Sequence, residues 1–320
     1  MSILGLTIDY GPFGFMERYD PDFICNASDD GGRYSYVNQP EMCHWNLQKF
    51  AETLSGTIPE RVSAPEVERF QDVFRAEYMR IMRNKLGLSD KVVSMDDDES
   101  LVDSLLETMA ASGADFTRTF RHLLLVPTNA DESDDGDFVD TLMKELPVPQ
   151  TIAEDRKPKM SAEQLKLLKQ LAQRDQNMLA MLGGSQQMID NEERRMELYK
   201  HMKQTSAEEK CERDKQLWWK WIAAYKRRLG KEPGVDSEAG LDERRKQQMK
   251  KNNPKYVLRN WVAQQTIDAA ENGNYDEVQR VLDRLMKPYA EDDKSPLPSG
   301  ATAGELDSLP PSRFERLTVT

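Results

Sequence analysis

Apolar side chains recur at intervals of three and four residues along most of the chain between residues 40 and 288. This spacing places them on one face of an α-helix, whereas a half-buried strand needs a period of two. The clearest run comprises Trp218, Trp221, Ile222, Tyr225 and Leu229. We therefore predict a mainly α-helical fold.

Composition excludes several classes of protein. No stretch of the 320 residues approaches the roughly 18 uninterrupted apolar residues that a membrane-spanning helix needs. The net charge of −12 gives no support to a nucleic-acid binder. Three cysteines without a CxxC spacing favour neither a disulfide framework nor a zinc ribbon, so a reducing compartment is expected.

The first residues predict the one strand of the chain. Ile3, Leu4, Leu6 and Ile8 read as a short buried β-strand that leads into the glycine-rich loop Asp9–Phe15 (DYGPFGF). A single strand cannot satisfy its own backbone groups, so we expect the protein to begin further upstream. No targeting segment is recognisable in this chain.

Capping residues predict where helices begin and end. Ser63–Glu66 and Ser161–Gln164 have the spacing of capping boxes, and Gly87 is expected to end the helix that follows the first of them. A further helix is expected to start at Asn253–Pro254 and to end at Gly273.

The segment 191–260 is basic, with 19 Lys and Arg against 12 Asp and Glu. Its basic, aromatic helix Leu217–Leu229 could address a nucleic acid or a membrane. The tryptophans have core-packing spacing, which favours a packed helix with a solvated basic rim. An independent basic binding module remains the alternative.

Asp9 is the candidate metal ligand. Kinase-like folds use an apolar strand to deliver one aspartate into a glycine loop, where its carboxylate holds Mg²⁺ against nucleotide phosphates. The alternative is an ordinary turn aspartate. Asp20 and Asp22 could also bind metal, but their setting is more typical of turn residues.

The other candidates favour ordinary structural roles. A calcium loop starting at Asp131 would have Leu142 in the place of its bidentate glutamate. The histidines lack ligand spacing, and Cys25 and Cys43 lie in no Cys/His pattern. The three histidines are His44, His122 and His201.

Four long blocks of sequence resemble the selenoprotein O family, which consists of protein adenylyltransferases with a kinase-like fold. They are Met1–Leu54 (MSILGLTIDYGPFGF and onward), Ser112–Phe120 (SGADFTRTF), Asn253–Ala269 (NPKYVLRNWVAQQTIDA) and Gly273–Tyr289 (GNYDEVQRVLDRLMKPY). The likeness covers the back half of the family's length. It implies part of a kinase-like large lobe with carboxyl-terminal helices.

The resemblance also implies chemistry. Family members bind ATP in an inverted orientation and transfer AMP to Ser, Thr or Tyr hydroxyls of proteins. Asp9 falls on the family's aspartate that binds Mg²⁺ and faces ATP. The family's catalytic aspartate and second magnesium ligand come from an Asn-Thr-Asp-Asn motif that would lie upstream of Met1. We therefore expect no catalytic residue in this chain and no activity from it alone.

The expected organisation has four parts: a catalytic-lobe remnant at 1–127, an acidic flexible insertion at 128–160, a helical region at 161–288 and a disordered tail at 289–320. The expected partners are ATP and protein substrates, without nucleic acid or membrane. The resemblance implies a mitochondrial location in a eukaryote and a cytoplasmic one in a bacterium. The alternative function is a non-catalytic helical binding or regulatory fragment.

Leu317–Thr320 (LTVT) resembles the run before the cysteine or selenocysteine that often ends family members, so a redox role of that tail is in doubt.

Overall fold

The computed structural model describes residues 14–25, 28–29, 31–89, 94–128, 136–174, 186–232, 238–291 and 306–310. Twelve α-helices lie within these ranges, and the β-pairing found in them is one antiparallel bridge between Arg18 and Asp115. The prediction of a mainly α-helical chain is confirmed. The predicted strand at Ile3–Ile8 and the Asp9 loop lie outside the described residues.

The helices are α1 Gln39–Thr53, α2 Glu60–Leu86, α3 Met95–Ser112, α4 Phe116–His122, α5 Gly136–Glu145, α6 Pro149–Asp155, α7 Ala162–Arg174, α8 Gln186–Gln204, α9 Ala207–Leu229, α10 Glu238–Asn252, α11 Asn260–Glu271 and α12 Tyr275–Leu285. Short 3-10 helices at Tyr36–Asn38 and Leu123–Leu125 adjoin α1 and α4. In the described part of the chain, no helix combines the length and apolarity needed to cross a bilayer.

Helix α9 forms the centre of the main core, packed against α3 and α5. The predicted apolar face of α9 is buried, and its polar atoms have partners. The indole N–H of Trp218 donates to Ser112 Oγ at 3.2 Å, and that of Trp221 donates to the Leu101 carbonyl at 3.1 Å. Because this face is enclosed, the packed-helix interpretation of the basic segment is confirmed for α9.

A buried carboxylate ties three helices together. Asp98 on α3 is fully buried and accepts hydrogen bonds from Arg83 Nε of α2 at 2.6 Å and Arg228 Nε of α9 at 2.5 Å. Arg228 also donates to Glu232 at 2.7 Å. An ion buried in this way needs close partners, because it has lost its hydration.

Several predicted helix ends are confirmed. Ser161 Oγ accepts from the Gln164 N–H at 3.2 Å, and Gln164 Oε1 accepts from the Ser161 N–H at 2.8 Å. Gly87 follows α2 as predicted, with φ of 69°, a left-handed conformation that favours glycine; Gly113 ends α3 in the same way, with φ of 75°.

Two predicted helix starts are wrong. Helix α2 begins at Glu60, because Pro59 is in an extended conformation and its carbonyl already accepts from the Val62 and Ser63 N–H groups. Ser63 therefore lies inside the helix and cannot be its cap. Helix α11 begins at Asn260, because the preceding backbone is drawn aside by hydrogen bonds from the Lys255 and Tyr256 N–H groups to the Pro288 carbonyl.

A second hydrophobic cluster joins α11 and α12. It contains Tyr256, Trp261, Val262, Val281 and Leu306. Leu306 lies within the segment 289–320 and is 6% exposed, so this cluster also holds a residue from beyond the last helix.

Candidate functional site

The segment that follows the Asp9 loop is fastened to the loop before α4. The Tyr19 N–H donates to the Ala114 carbonyl at 2.9 Å, and the Phe116 N–H donates to the Glu17 carbonyl at 2.8 Å. Gly14 packs so closely on α11 that a Cβ there would lie 2.8 Å from Asn260 Oδ1. The backbone from residue 14 to residue 19 is thus held between α4 and α11.

A buried arginine, Arg259, joins the same two segments through ion pairs. Arg259 is 2% exposed, and its Nη1 and Nη2 donate to Asp115 at 2.6 and 3.1 Å. Nη1 also donates to Glu17 Oε2. Asp115 caps α4 as well, because its Oδ1 accepts from the Arg118 N–H at 2.8 Å. We call Glu17, Asp115 and Arg259 the clamp.

The clamp keeps its arginine charged. Burial acts to lower the pKa of Arg259, but the carboxylates of Asp115 and Glu17 act more strongly, and the net pKa is raised. The pKa of Glu17 is also raised, because burial and the neighbouring Asp115 together outweigh Arg259. Two carboxylates thus share one guanidinium.

The clamp brings together three of the four blocks that carry the family resemblance. Glu17 belongs to the first block, Asp115 to the second and Arg259 to the third. Glu17 is eight positions beyond Asp9 in the sequence. Asp9 itself lies outside the described residues, and its metal role stays a prediction.

A second layer of ion pairs surrounds the clamp. Glu145 of α5 accepts from Arg118 Nε at 2.9 Å and lies 2.8 Å from His122 Nε2. Burial acts to raise the pKa of Glu145, but these two partners outweigh it and lower the pKa to about 2. Arg118 Nη1 reaches Asp307 at 3.3 Å, and Arg121 Nη2 donates to Glu291 at 2.6 Å.

Asp20 and Asp22 have the turn roles that the sequence favours. Asp20 Oδ1 accepts from the Asp22 N–H at 2.9 Å. Each carboxylate also forms an ion pair, Asp20 with Arg156 at 2.5 Å and Asp22 with Arg194 at 3.2 Å. These pairs attach the irregular segment after the clamp to α6 and α8.

A groove of about 860 Å³ lies between this segment and helices α3 and α8. Its wall includes residues 20–22, 31–32 and Val37 on one side. The opposite side comes from the end of α6 and from α8. We call it the loop groove.

The other residues that the sequence offered as candidates are found in ordinary packing environments. His44 stacks on Phe70 with ring centroids 5.9 Å apart, and Leu142 is buried in α5. Cys43 and Cys211 are exposed free thiols. Across the ranges that the structure describes, no three imidazole, thiol or carboxylate side chains are grouped as a metal site.

The clamp is not predictable from the sequence patterns. Its residues carry no spacing signal, because Arg259 and Asp115 are 144 positions apart. The available hint was the charge of Arg259 inside the apolar run Tyr256–Val262 (YVLRNWV), where an arginine needs a buried partner.

Comparison with known proteins identifies the family. The chain matches the family described as Protein adenylyltransferase SelO over residues 1–286. It is 43% identical, over all of its length, to the mouse protein named "Protein adenylyltransferase SelO, mitochondrial", of which it covers 48%. It is 43% identical to the human protein of the same name, over 90% of this chain and 43% of that protein.

A bacterial relative shows the same pattern. The chain is 33% identical over its full length to the "Protein nucleotidyltransferase YdiU" of Enterobacter sp. (strain 638), of which it covers 48%. This chain belongs to the SelO family, as its sequence blocks indicated. It spans about half the length of the curated relatives that it matches.

Proposed function

We propose that this chain forms part of a protein adenylyltransferase that transfers AMP from ATP to Ser, Thr or Tyr hydroxyls of proteins. The observation that carries the proposal is the 43% identity, along the entire chain, to a protein named as a protein adenylyltransferase. The alternative of a non-catalytic helical fragment has no comparable support. In the reaction, a target hydroxyl attacks the α-phosphorus of ATP and pyrophosphate leaves.

The proposed roles follow the resemblance. Asp9 binds Mg²⁺ and faces ATP, since a carboxylate is the oxygen ligand that this hard cation prefers. When bound, the ion would neutralise phosphate charge. The catalytic aspartate would come from the upstream motif, so this chain by itself is inactive. We retain the kinase-like large lobe and the four-part division at residues 127, 160 and 288 as parts of the proposal.

The clamp supports this proposal with a physical role. An active-site carboxylate must be held close to its productive position, and a loop needs fixed flanks for that. Arg259 holds Glu17, and the backbone bonds of Glu17 and Tyr19 hold the segment that follows Asp9. The clamp therefore anchors the carboxyl-terminal side of the proposed metal loop.

The proposed partners are ATP and hydroxyl-bearing protein substrates. We propose no nucleic-acid partner, because the aromatic residues of α9 are enclosed in the core. The mouse and human relatives are named as mitochondrial. We accordingly propose a mitochondrial location if the source is eukaryotic and a cytoplasmic one if it is bacterial.

The test uses a chain extended upstream through the Asn-Thr-Asp-Asn motif and the ATP-binding lobe of the family. Asp9→Asn should lower the rate of AMP transfer by about 100-fold or more, which is about 2.7 kcal/mol. Asp20→Asn and Asp22→Asn are the controls and should cost less than about tenfold. Transfer by Asp9→Asn at the unmodified rate would show that Asp9 is not the metal ligand.

The isolated chain gives a second test. The purified 320-residue chain should transfer no labelled AMP from ATP to any protein. Transfer above that of its Asp9→Ala variant would contradict the proposed need for the upstream residues.

A further inference from the structure

The loop groove has no role in the proposed reaction, and we propose that it binds an extended segment of the protein substrate, with an apolar side chain on its floor and a carboxylate at Lys159. This inference rests on the proposed function and deepens it by naming where the substrate protein docks. The volume of the groove, the residues that line it and the charges around it support the inference.

The groove has the dimensions of a ligand site. Its volume of about 860 Å³ exceeds that of any single side chain and falls within the range of roughly 300–1,000 Å³ that is common for such sites. The groove offers apolar side chains from both walls. They are Ile24, Val37, Ala110, Met160, Met188 and Leu198. Val37 is 56% exposed, so apolar surface is available for burial by a partner.

The basic side chains around the groove differ in whether they have a carboxylate partner. Arg156 and Arg194 are neutralised by Asp20 and Asp22. Lys159 is exposed, and within the described ranges its ammonium has no carboxylate partner.

The carboxylate of the neighbouring Glu192 is engaged by other groups, so it does not neutralise the Lys159 ammonium. Glu192 Oε1 accepts the backbone N–H groups of Lys159 and Met160 at 2.5 and 2.9 Å, and Glu192 Oε2 lies 3.9 Å from Arg195. Of the other lining carboxylates, Asp20 and Asp22 are paired with arginines, and Glu107 lies on the α3 wall. A bound segment would therefore place an acidic residue at the Lys159 end and keep it away from Glu107.

The groove is continuous with the clamp. The Asp20 N–H lies 3.1 Å from Met16 Sδ, and the Tyr19 N–H is bonded to Ala114, so the groove wall begins where the clamped segment ends. Asp20 is eleven positions beyond Asp9, a span of at most about 40 Å. A substrate segment seated in the groove would raise the local concentration of its hydroxyl near the metal loop.

Glycine positions allow a sharp test. Among the described residues, no atom lies within 4 Å of a Cβ built at Gly31, and Gly31 has no left-handed backbone, so Gly31→Trp adds a bulky side chain to the groove wall without backbone strain. Gly56 has the same open surroundings between α1 and α2, away from the groove. Gly56→Trp is therefore the matched control.

The first measurement is peptide binding to the 320-residue chain by fluorescence anisotropy. The probe is a labelled dodecapeptide with a central leucine, one serine and flanking glutamates, compared with a version carrying lysines in place of the glutamates. Gly31→Trp should weaken binding of the acidic peptide by about tenfold or more, with Gly56→Trp within about twofold of the unmodified chain. Lys159→Glu should reverse the preference between the two peptides.

Several outcomes would overturn the proposal: no binding of the acidic peptide, equal binding by Gly31→Trp, or an unchanged preference in Lys159→Glu. Circular dichroism melts of each variant exclude misfolding as the cause. AMP transfer to the acidic peptide by the upstream-extended chain separates the two proposals. Absence of any AMP transfer, self-modification included, by the upstream-extended chain without substitutions contradicts the adenylyltransferase function, whereas transfer to the peptide that Gly31→Trp leaves intact contradicts the groove alone.

Discussion

Arg259 and Asp115 form a two-pronged ion pair, with nitrogen–oxygen distances of 2.6 and 3.1 Å, across 144 positions of sequence. Each residue stands immediately before a helix, Asp115 before α4 and Arg259 before α11. The pair therefore fixes two helix starts at one point. Through Glu17 it also holds the segment that follows the proposed metal loop.

Removing the arginine should be strongly destabilising. Arg259→Met would leave buried Asp115 and half-buried Glu17 without their cation, and the loss of one partner from a buried pair costs about 3–5 kcal/mol. Urea denaturation measures the free energy of unfolding. Arg69→Met is the control, because Arg69 is 66% exposed and pairs with Glu66 on the surface, a pair worth at most about 1 kcal/mol. Equal losses for the two variants would show that the clamp is not a stabilising contact.

Asp98 should be equally sensitive. Asp98→Asn removes the charge that Arg83 and Arg228 share, which leaves buried Arg83 with a neutral partner and Arg228 with Glu232 as its remaining carboxylate. We expect a loss of about 3 kcal/mol or more by urea denaturation. The neighbouring Asp97 is 59% exposed and 3.5 Å from Lys231, so Asp97→Asn should cost under about 1 kcal/mol. A loss for Asp98→Asn no larger than that of Asp97→Asn would refute the expectation.

The contrast between helices and clamp shows what the sequence can predict. The Ser161–Gln164 capping box and the buried face of α9 depend on residues within one turn or a few turns, and both predictions are confirmed. The starts of α2 and α11 were misplaced, because a preceding proline in one case and the distant Pro288 carbonyl in the other decided them. Local sequence patterns cannot predict a helix start that is decided by hydrogen bonds from outside the pattern.

The candidate site was predictable only through the family resemblance. Asp115 and Arg259 lie within two of the blocks that resemble the family, but nothing in either block indicates that the two side chains meet. A long-range ion pair has no period and no fixed spacing, so it emerges only when the packing of α4 against the α11 start is known. The loop groove likewise depends on α8 returning to the segment after the clamp.

Glu145 should make stability fall in acid. Its pKa is about 2 in the folded protein against 4.5 for a free glutamate, so its stabilising contribution is complete above pH 4.5 and is lost as pH falls toward 2. The contribution is on the order of 2–3 kcal/mol. Thermal melts from pH 7 to pH 2.5 should show that the unmodified chain is more stable than Glu145→Gln at neutral pH. A difference that stays constant across this range would contradict the assignment.

Lys85 should also make stability rise with pH, but in the alkaline range and because its charged form is the destabilising one. Burial lowers the pKa of Lys85 to about 8 from 10.5, although its ammonium lies 4.1 Å from the Phe120 ring centroid. The unfolded chain therefore binds more protons between pH 8 and 10.5, and folding stability rises with pH in that window. Lys85→Met should be more stable than the unmodified chain at pH 7 by about 1–2 kcal/mol, and the gap should close by about pH 10. Urea titrations at pH 7, 9 and 10 test this, and a gap independent of pH would disprove it.

The enclosed indoles of α9 give the molecule an optical signature. The ring centroids of Trp218 and Trp221 are 6.2 Å apart at an interplanar angle of 77°, and Tyr225 stacks on Trp221 at 5.1 Å. Chromophores held rigidly at such distances couple their electronic transitions, which gives strong near-ultraviolet circular dichroism. That signal vanishes when side-chain packing loosens, whereas far-ultraviolet ellipticity persists as long as the helices do. The two spectral regions therefore report separately on the core around α9 and on the helices that enclose it.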